Sequence, residues 1–364
     1  MKQKFKDILN NMKTTNYILN LNELLSNKTK LKSKPQILQI FLSNICNLDC
    51  IMCCNKTTVK REKAFSLDYK TIEKIILTNS QLLVIEWLGG EPTLYPNFEK
   101  LLDLANKQNI KQVLVTNGSL LNKKIINKLI EYNVDVTISM DAPIKSLYEK
   151  IRRGGDFNRL VNNLKLFVKE KKKKKHDFNL LTVNYVVLNN NYKYILKMIS
   201  FIRKLGIKNI FFENDITNGI YNISKISKSK YKHFQKVLLN IKNHKDENTN
   251  ILIDENFFQS EAEPIKNFSV IKKDDNKCLV PWVSCCIKPN GDVLSSPFCL
   301  CVLGNIYKSK FLDIWNSKKF VGIRKKIINN NFELENICSN CKNMHPITRM
   351  YRALDRATKI LFRN

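Results

Sequence analysis

Cys46, Cys50 and Cys53 place three thiols within eight residues of one another, directly after a short alternating apolar segment. Deprotonated thiols bind iron and zinc, and this density on one loop is the pattern of a metal centre. A cubane [4Fe–4S] cluster normally takes four cysteine ligands, one per iron. Three would leave one iron open, and an open iron can bind a substrate directly. A zinc site would need a fourth ligand and commonly uses two paired spacings, unlike the three-then-two spacing here. Cys54, next to Cys53, reads as a buried packing neighbour.

The 364 residues carry 11 cysteines, in two groups separated by more than 220 residues that have none. The second group is Cys278, Cys285, Cys286, Cys299, Cys301, Cys338 and Cys341. Core-filling cysteines would scatter, whereas metal ligands cluster. No continuous apolar stretch follows the lysine-rich N-terminus, so no secretory signal is read, and no run of about 18 apolar residues could span a membrane. A reducing, cytoplasmic setting is therefore expected, and clustered thiols there serve metals rather than disulfides.

The net charge of +30, from 62 Lys+Arg against 32 Asp+Glu, invites a nucleic-acid reading. Only 10 of the 62 are Arg, the residue that grips phosphates and bases bidentately, and Asn is abundant. Lysine and asparagine codons are A/T-rich, so a biased genome explains the balance better. At 43% hydrophobic and 26% charged, the chain is an ordinary globular one.

The elements that must hold these groups repeat as strand, loop, helix. Strands are predicted at 36–42, 82–88, 112–116, 134–140, 180–188 and 207–213, with helices from about 97, at 123–132, at 157–169 and at 192–205. Six strands alternating with helices imply parallel pairing and right-handed crossovers, closing into a full or partial barrel. Chemistry in such barrels sits at the C-terminal strand ends, where the cysteine loop, Gly89-Gly90-Glu91-Pro92, Asn117-Gly118 and Asp141 all fall. Residues 1–34 read as a basic, partly helical lead-in with apolar positions near Ile8, Met12, Ile18 and Leu24. Residues 216–277 read as a helical bridge, 278–345 as a cysteine-rich module and 346–364 as a basic C-terminal helix. The lysine run 171–175 lies at the opposite end of the barrel and reads as a solvated turn.

The cysteine loop, the Gly-Gly-Glu-Pro turn and the strand series resemble the radical S-adenosylmethionine (radical SAM) superfamily, with 35–215 as its core. The resemblance implies an α/β fold, a partial (β/α)6 TIM-like barrel. It implies a [4Fe–4S] cluster on Cys46, Cys50 and Cys53 whose open iron binds S-adenosylmethionine. One-electron cleavage there gives a 5′-deoxyadenosyl radical that abstracts hydrogen from a substrate. By the same resemblance, Gly89 and Gly90 admit the cofactor, Glu91 meets its ammonium group and Pro92 fixes the turn. Ser139 and Asp141 match the family's ribose and carboxylate contacts, and Arg152 its carboxylate-binding arginine. Asn117 either lines the pocket or shapes its turn. Met52 stands where many members carry an aromatic residue, and its polarizable sulfur can pack against adenine.

Residues 278–341 resemble the SPASM/twitch extension of one branch of that superfamily. Pro289-Asn290-Gly291-Asp292 between alternating segments signals a β-hairpin, followed by short helices. Cys278, Cys299 or Cys301, Cys338 and Cys341 supply four thiols, enough for one auxiliary [4Fe–4S] cluster. Four thiols also suit structural zinc. Cys285 and Cys286 adjoin on a hairpin strand and face opposite ways; they read as packing residues, with one of them able to reach a second cluster as the alternative.

The resemblance implies substrates such as a peptide or protein side chain, or, alternatively, a small molecule such as a sugar that is dehydrogenated. The 34-residue lead-in reads as too short for an added leader-peptide-binding domain. The basic surface would suit an acidic electron donor such as flavodoxin or ferredoxin. A reading of another class is a non-catalytic Fe–S electron carrier or a zinc-stabilised nucleic-acid-binding protein.

Overall fold

The computed structural model describes residues 2–53, 64–174, 181–215, 221–243, 249–253, 257, 278–297, 299 and 301–329. Its strands are β1 (Ile37–Phe41), β2 (Asp49–Cys50), β3 (Val84–Leu88), β4 (Lys111–Thr116), β5 (Asp135–Ser139), β6 (Arg152–Arg153), β7 (Leu181–Val187), β8 (Asn209–Asn214), β9 (Asn250–Ile253), β10 (Ser284–Ile287), β11 (Asp292–Leu294) and β12 (Gly304–Asn305). One open ten-stranded sheet runs β12-β11-β10-β1-β3-β4-β5-β7-β8-β9, and β2 pairs with β6 apart from it. The β1-to-β9 series is parallel throughout, so the fold is the expected mixed α/β partial barrel.

Alternation sorts the strand residues into two faces. Leu38, Ile40, Ile85, Trp87, Leu114, Val136, Ile138, Val183, Tyr185, Ile210 and Phe212 are buried in one large core with the outer helices. Those helices turn an apolar stripe to it, such as Phe98, Leu101, Leu102 and Ala105 of Phe98–Lys107 and Leu160, Leu164 and Phe167 of Phe157–Lys173. The opposite faces are richer in polar groups. Gln39 Nε2 donates to Glu86 Oε2 at 2.7 Å, Lys111 pairs with Asp135 at 3.2 Å, and Asn184 Nδ2 donates to Glu213 Oε2 at 2.6 Å.

Three features go beyond the sequence expectation. A helix spans Tyr69–Thr78 between β2 and β3, capped by Asp68, whose side chain accepts from Thr71 N–H. The stretch read as a helical bridge holds a helix, Lys228–Asn243, and also β9, which lengthens the parallel sheet beyond β8. The cysteine-rich module is not appended beside the barrel. Its first hairpin strand, β10, pairs in parallel with β1, Leu38 opposite Cys285 and Gln39 opposite Cys286. Cys285 and Cys286 are both fully buried, facing opposite sides of that sheet.

The lead-in is one helix, Lys2–Leu25. Met12 and Ile18, expected as apolar anchors, are exposed at 45% and 48%, and the buried positions are Leu9, Lys13, Asn16, Asn20 and Glu23. The side chain of Ile8 lies outside the described residues. The polar face is inward because it meets chain ends and loops, whose backbone groups need partners. Lys13 donates to the carbonyls of Gln108 and Asn109 at 3.0 and 2.6 Å, and Asn20 donates to the Trp282 carbonyl at 2.7 Å. Glu23 accepts the N–H groups of Lys32 and Ser33. The module is tied to the same region: Trp315 Nε1 donates to the Ser33 carbonyl at 2.9 Å, and Arg324, stacked on Trp315 and Phe320, donates to the Thr29 and Pro281 carbonyls.

Candidate functional site

The cysteine loop leaves the C-terminal end of β1 and is held on three sides by backbone. Gly90 N–H donates to Ser43 O at 2.7 Å and Glu91 N–H to Ile45 O at 2.9 Å. A Cβ on Gly89, whose φ is +139°, would lie 2.5 Å from Ser43 O, and one on Gly90 would lie 2.1 Å from Ile45 O. Both glycines are thus required by the close approach of this turn to the cysteine loop. The third side is the β2–β6 ladder, which sets Cys50 opposite Arg152.

Glu91 is buried and joins the turn after β3 to the turn after β4. Its Oε1 accepts from Thr93 N–H, Thr93 Oγ1 and Thr116 Oγ1 at 3.1, 2.5 and 2.6 Å, and its Oε2 accepts from Asn117 N–H at 2.8 Å. A carboxylate oxygen offers two lone-pair sites, so Oε1 is fully occupied by the chain's own donors while Oε2, with one, can accept another. Pro92, buried, starts the 3₁₀ turn Pro92–Leu94 that Glu91 caps.

Donors converge on the sulfurs. Leu48 N–H donates to Cys46 Sγ at 3.4 Å, and the Asn117 side-chain amide, bonded to Asn47 Oδ1 at 2.9 Å, lies 4.0 Å from the same sulfur. Asn117 Oδ1 also accepts from Ser119 N–H, so this residue both shapes its turn and reaches the cysteine loop. Arg152 directs NH1 at Cys50 Sγ, 3.6 Å away, and its Nε pairs with Asp141 Oδ2, 2.6 Å away, as an ion pair without hydrogen-bond geometry. Burial opposes the Arg152 charge, but Asp141, Cys50 and Tyr148 outweigh it, and the guanidinium stays cationic. Ser139 is half-buried at the end of β5, opposite Asn184 on β7. Met52 is half-buried in the turn before Cys53.

Cys53 is exposed, Cys46 half-buried and Cys50 buried. Burial, reinforced by Glu91 and the other two thiols and opposed by the Leu48 N–H, raises Cys46 to about 11. Burial also raises Cys50, with Arg152 pulling the other way. Burial thus favours the protonated form of Cys46 and Cys50, and a bound metal would displace those protons. Among the described residues no three His, Cys, Asp or Glu side chains stand close enough together to hold a metal ion. The loop presents the trio without closing it. N–H donors aimed at two of the sulfurs suit thiolate ligands, so the residues fit an iron–sulfur group.

In the C-terminal module, Cys299 is buried and accepts from Ser295 Oγ at 3.0 Å, whereas Cys278 and Cys301 are half-buried. That hydrogen bond distinguishes Cys299 from Cys301, a difference their spacing did not reveal. Cys338 and Cys341, and the expected basic helix at 346–364, lie outside the described residues. Sequence reading did not anticipate that Arg152 and Asp141 form one ion pair against Cys50. The signal available was the pairing of two short polar segments, too brief for any periodicity to show.

Comparison with known proteins agrees with this geometry. Residues 40–222 match the radical SAM superfamily and residues 278–342 an iron–sulfur cluster-binding domain, SPASM. The radical SAM cyclopropyl synthase TigE of Paramaledivibacter caminithermalis is 28% identical over 223 residues, 55% of this chain but only 42% of that protein. A probable GTP 3′,8-cyclase of Methanocaldococcus jannaschii is 26% identical over 209 residues, 55% of this chain and 67% of that one. The crystal structure of Streptococcus suis SuiB bound to the precursor peptide SuiA superposes with a TM-score of 0.64 at 20% identity, covering 84% of this chain and 70% of that one. No helix among the described residues is long and apolar enough to cross a membrane. Membership brings with it a SAM-binding [4Fe–4S] cluster, S-adenosylmethionine and auxiliary iron–sulfur binding. With the cysteine loop, its Gly-Gly docking turn and the match over half its length, the chain belongs to the radical SAM superfamily and carries a C-terminal SPASM domain.

Proposed function

We propose that Cys46, Cys50 and Cys53 hold the SAM-binding cluster, and that the protein uses it to abstract hydrogen from a peptide or protein side chain. When bound, the cluster supplies the electron that cleaves S-adenosylmethionine to a 5′-deoxyadenosyl radical. The chain's own residues hold the site. Gly89 and Gly90 clamp the cysteine loop, Glu91 fixes the turns after β3 and β4, and Asn117 and Leu48 N–H donate toward Cys46. Ser139, at the end of β5, and Met52 are the proposed contacts to the cofactor's ribose and adenine. In the module, Cys278, Cys299, Cys338 and Cys341 are the proposed ligands of one auxiliary cluster, with Ser295 orienting Cys299.

The observation that carries the reading is the set of N–H donors aimed at the sulfurs of a loop that two obligatory glycines dock. The peptide substrate is supported by the fold shared with SuiB, which was crystallised with a precursor peptide. The GTP 3′,8-cyclase relative favours a small-molecule substrate instead. Anaerobically reconstituted protein with dithionite and S-adenosylmethionine should release 5′-deoxyadenosine, and Cys50→Ala should release none above background. Equal release from both proteins would sink the cluster assignment. A candidate peptide that raises the yield and changes mass supports the substrate class, and a nucleotide or sugar that does so replaces it.

A further inference from the structure

The β2–β6 ladder is only two residues a side, yet it carries a buried charge. Cys50 stands opposite Arg152, and Ile51 N–H continues the ladder to the Ile151 carbonyl at 2.9 Å. Backbone pairing alone would tether the loop. The Arg152 side chain adds a second link, with NH1 3.6 Å from Cys50 Sγ and Nε 2.6 Å from Asp141 Oδ2. Asp141 is fully buried and cannot swing away. Its Oδ1 accepts from Val186 N–H at 2.8 Å, and its carbonyl accepts from the Asn191 side chain at 3.0 Å. Tyr148, also fully buried, lies within electrostatic reach of Arg152. A guanidinium held this way keeps one N–H directed at one particular sulfur of the trio.

We propose that Arg152 is a positioning residue that sets the reduction potential of the cluster on Cys46, Cys50 and Cys53, its N–H at the Cys50 sulfur favouring the reduced, more negative state. Hydrogen bonds to ligand sulfurs and local net charge are two of the levers by which a protein shifts such potentials. Asp141 sets the strength of the effect by holding the guanidinium in line. This rests on the cluster assignment above, and it gives Arg152 a role distinct from the carboxylate contact that the family resemblance implies.

The test is a redox titration of reconstituted holoprotein without S-adenosylmethionine, followed by the electron paramagnetic resonance signal of the reduced cluster. The relevant signal is the one that Cys50→Ala abolishes; if Cys50→Ala abolishes none, the cluster assignment itself fails and this inference falls with it. Arg152→Met should lower the reduced-to-oxidised ratio about tenfold at a fixed ambient potential, equivalent to about 59 mV for one electron. Arg152→Lys, which keeps charge but not the planar fork, should shift less. Each ratio is normalised to the cluster present, so a variant that merely loads poorly still reports. If both Arg152 variants titrate with wild type while S-adenosylmethionine binding weakens, Arg152 is a cofactor contact and the proposal is overturned. If they titrate with wild type and only cluster content falls, the arginine is a loop brace and the proposal is equally overturned.

Discussion

Single residues in this site act on one another before they act on a ligand. The Gly-Gly-Glu-Pro run reads from sequence as a cofactor-binding turn by family resemblance. In the structure its glycines answer first to Ser43 and Ile45, because their hydrogen atoms sit where a methyl group would strike carbonyl oxygen. Gly90→Ala should therefore displace the cysteine loop and lower the iron bound per chain at least severalfold. Gly322→Ala is the matched control, since nothing lies within 4 Å of the added methyl and the position is mid-helix in Lys318–Ile328. It should leave iron content unchanged and stabilise the fold by about 0.5–1 kcal/mol. Iron quantitation and thermal melting of the two variants side by side would check both halves, and normal iron content in Gly90→Ala would refute the docking role. Asn117 shows why spacing alone left two roles open. One amide shapes the turn, accepting from Ser119 N–H with its oxygen, while its nitrogen reaches Asn47 and Cys46 of the cysteine loop.

At the level of elements, alternation and turn chemistry predicted the strands of the barrel to within a residue or two, since each has one apolar face that must meet helices. The N-terminal helix was harder to read, because its buried face is chosen by hydrogen-bonding need and carries Lys13, Asn16, Asn20 and Glu23. Lys13 caps the carbonyls that follow helix Phe98–Lys107, where a cation suits the helix end. Burial nevertheless lowers its pKa to about 7 from an ordinary 10.5. Between those values the unfolded chain binds a proton that the folded chain does not. Folding stability should accordingly rise with pH from about 7 to about 10.5, with the full penalty of the buried charge present below about 7. Denaturant unfolding across that range should show the slope, and Lys13→Met should flatten it. An unchanged slope in the variant would place the effect elsewhere. Strand β9 and the β2–β6 ladder went unread because four residues and two residues are too short to display a period.

For the whole molecule, the +30 charge is carried mostly by lysine, with only 10 Arg among the 62 basic residues. A field of that sign speeds encounter with an acidic electron carrier and is screened by salt. Reduction by flavodoxin or ferredoxin should slow about tenfold from low ionic strength to about 0.5 M salt, whereas reduction by dithionite should not follow that dependence. Stopped-flow absorbance measures both, and a flat profile with the protein donor would leave the charge without this role. The division into barrel and cysteine-rich module was visible in the two cysteine groups, but their joining was not, since no local pattern announces which distant edge a hairpin strand will choose. The pairing of β1 with β10 also has a consequence in time. The first barrel strand leaves the ribosome early, yet its outer neighbour begins only at Ser284. Until Ser284 is made, the Ile37–Phe41 edge has no partner on that side and is open to pairing with other nascent chains. Folding in the cell thus becomes a matter of protecting one strand until Ser284 and its neighbours are made, and a chain stopped before Ser284 should aggregate rather than yield a free-standing barrel.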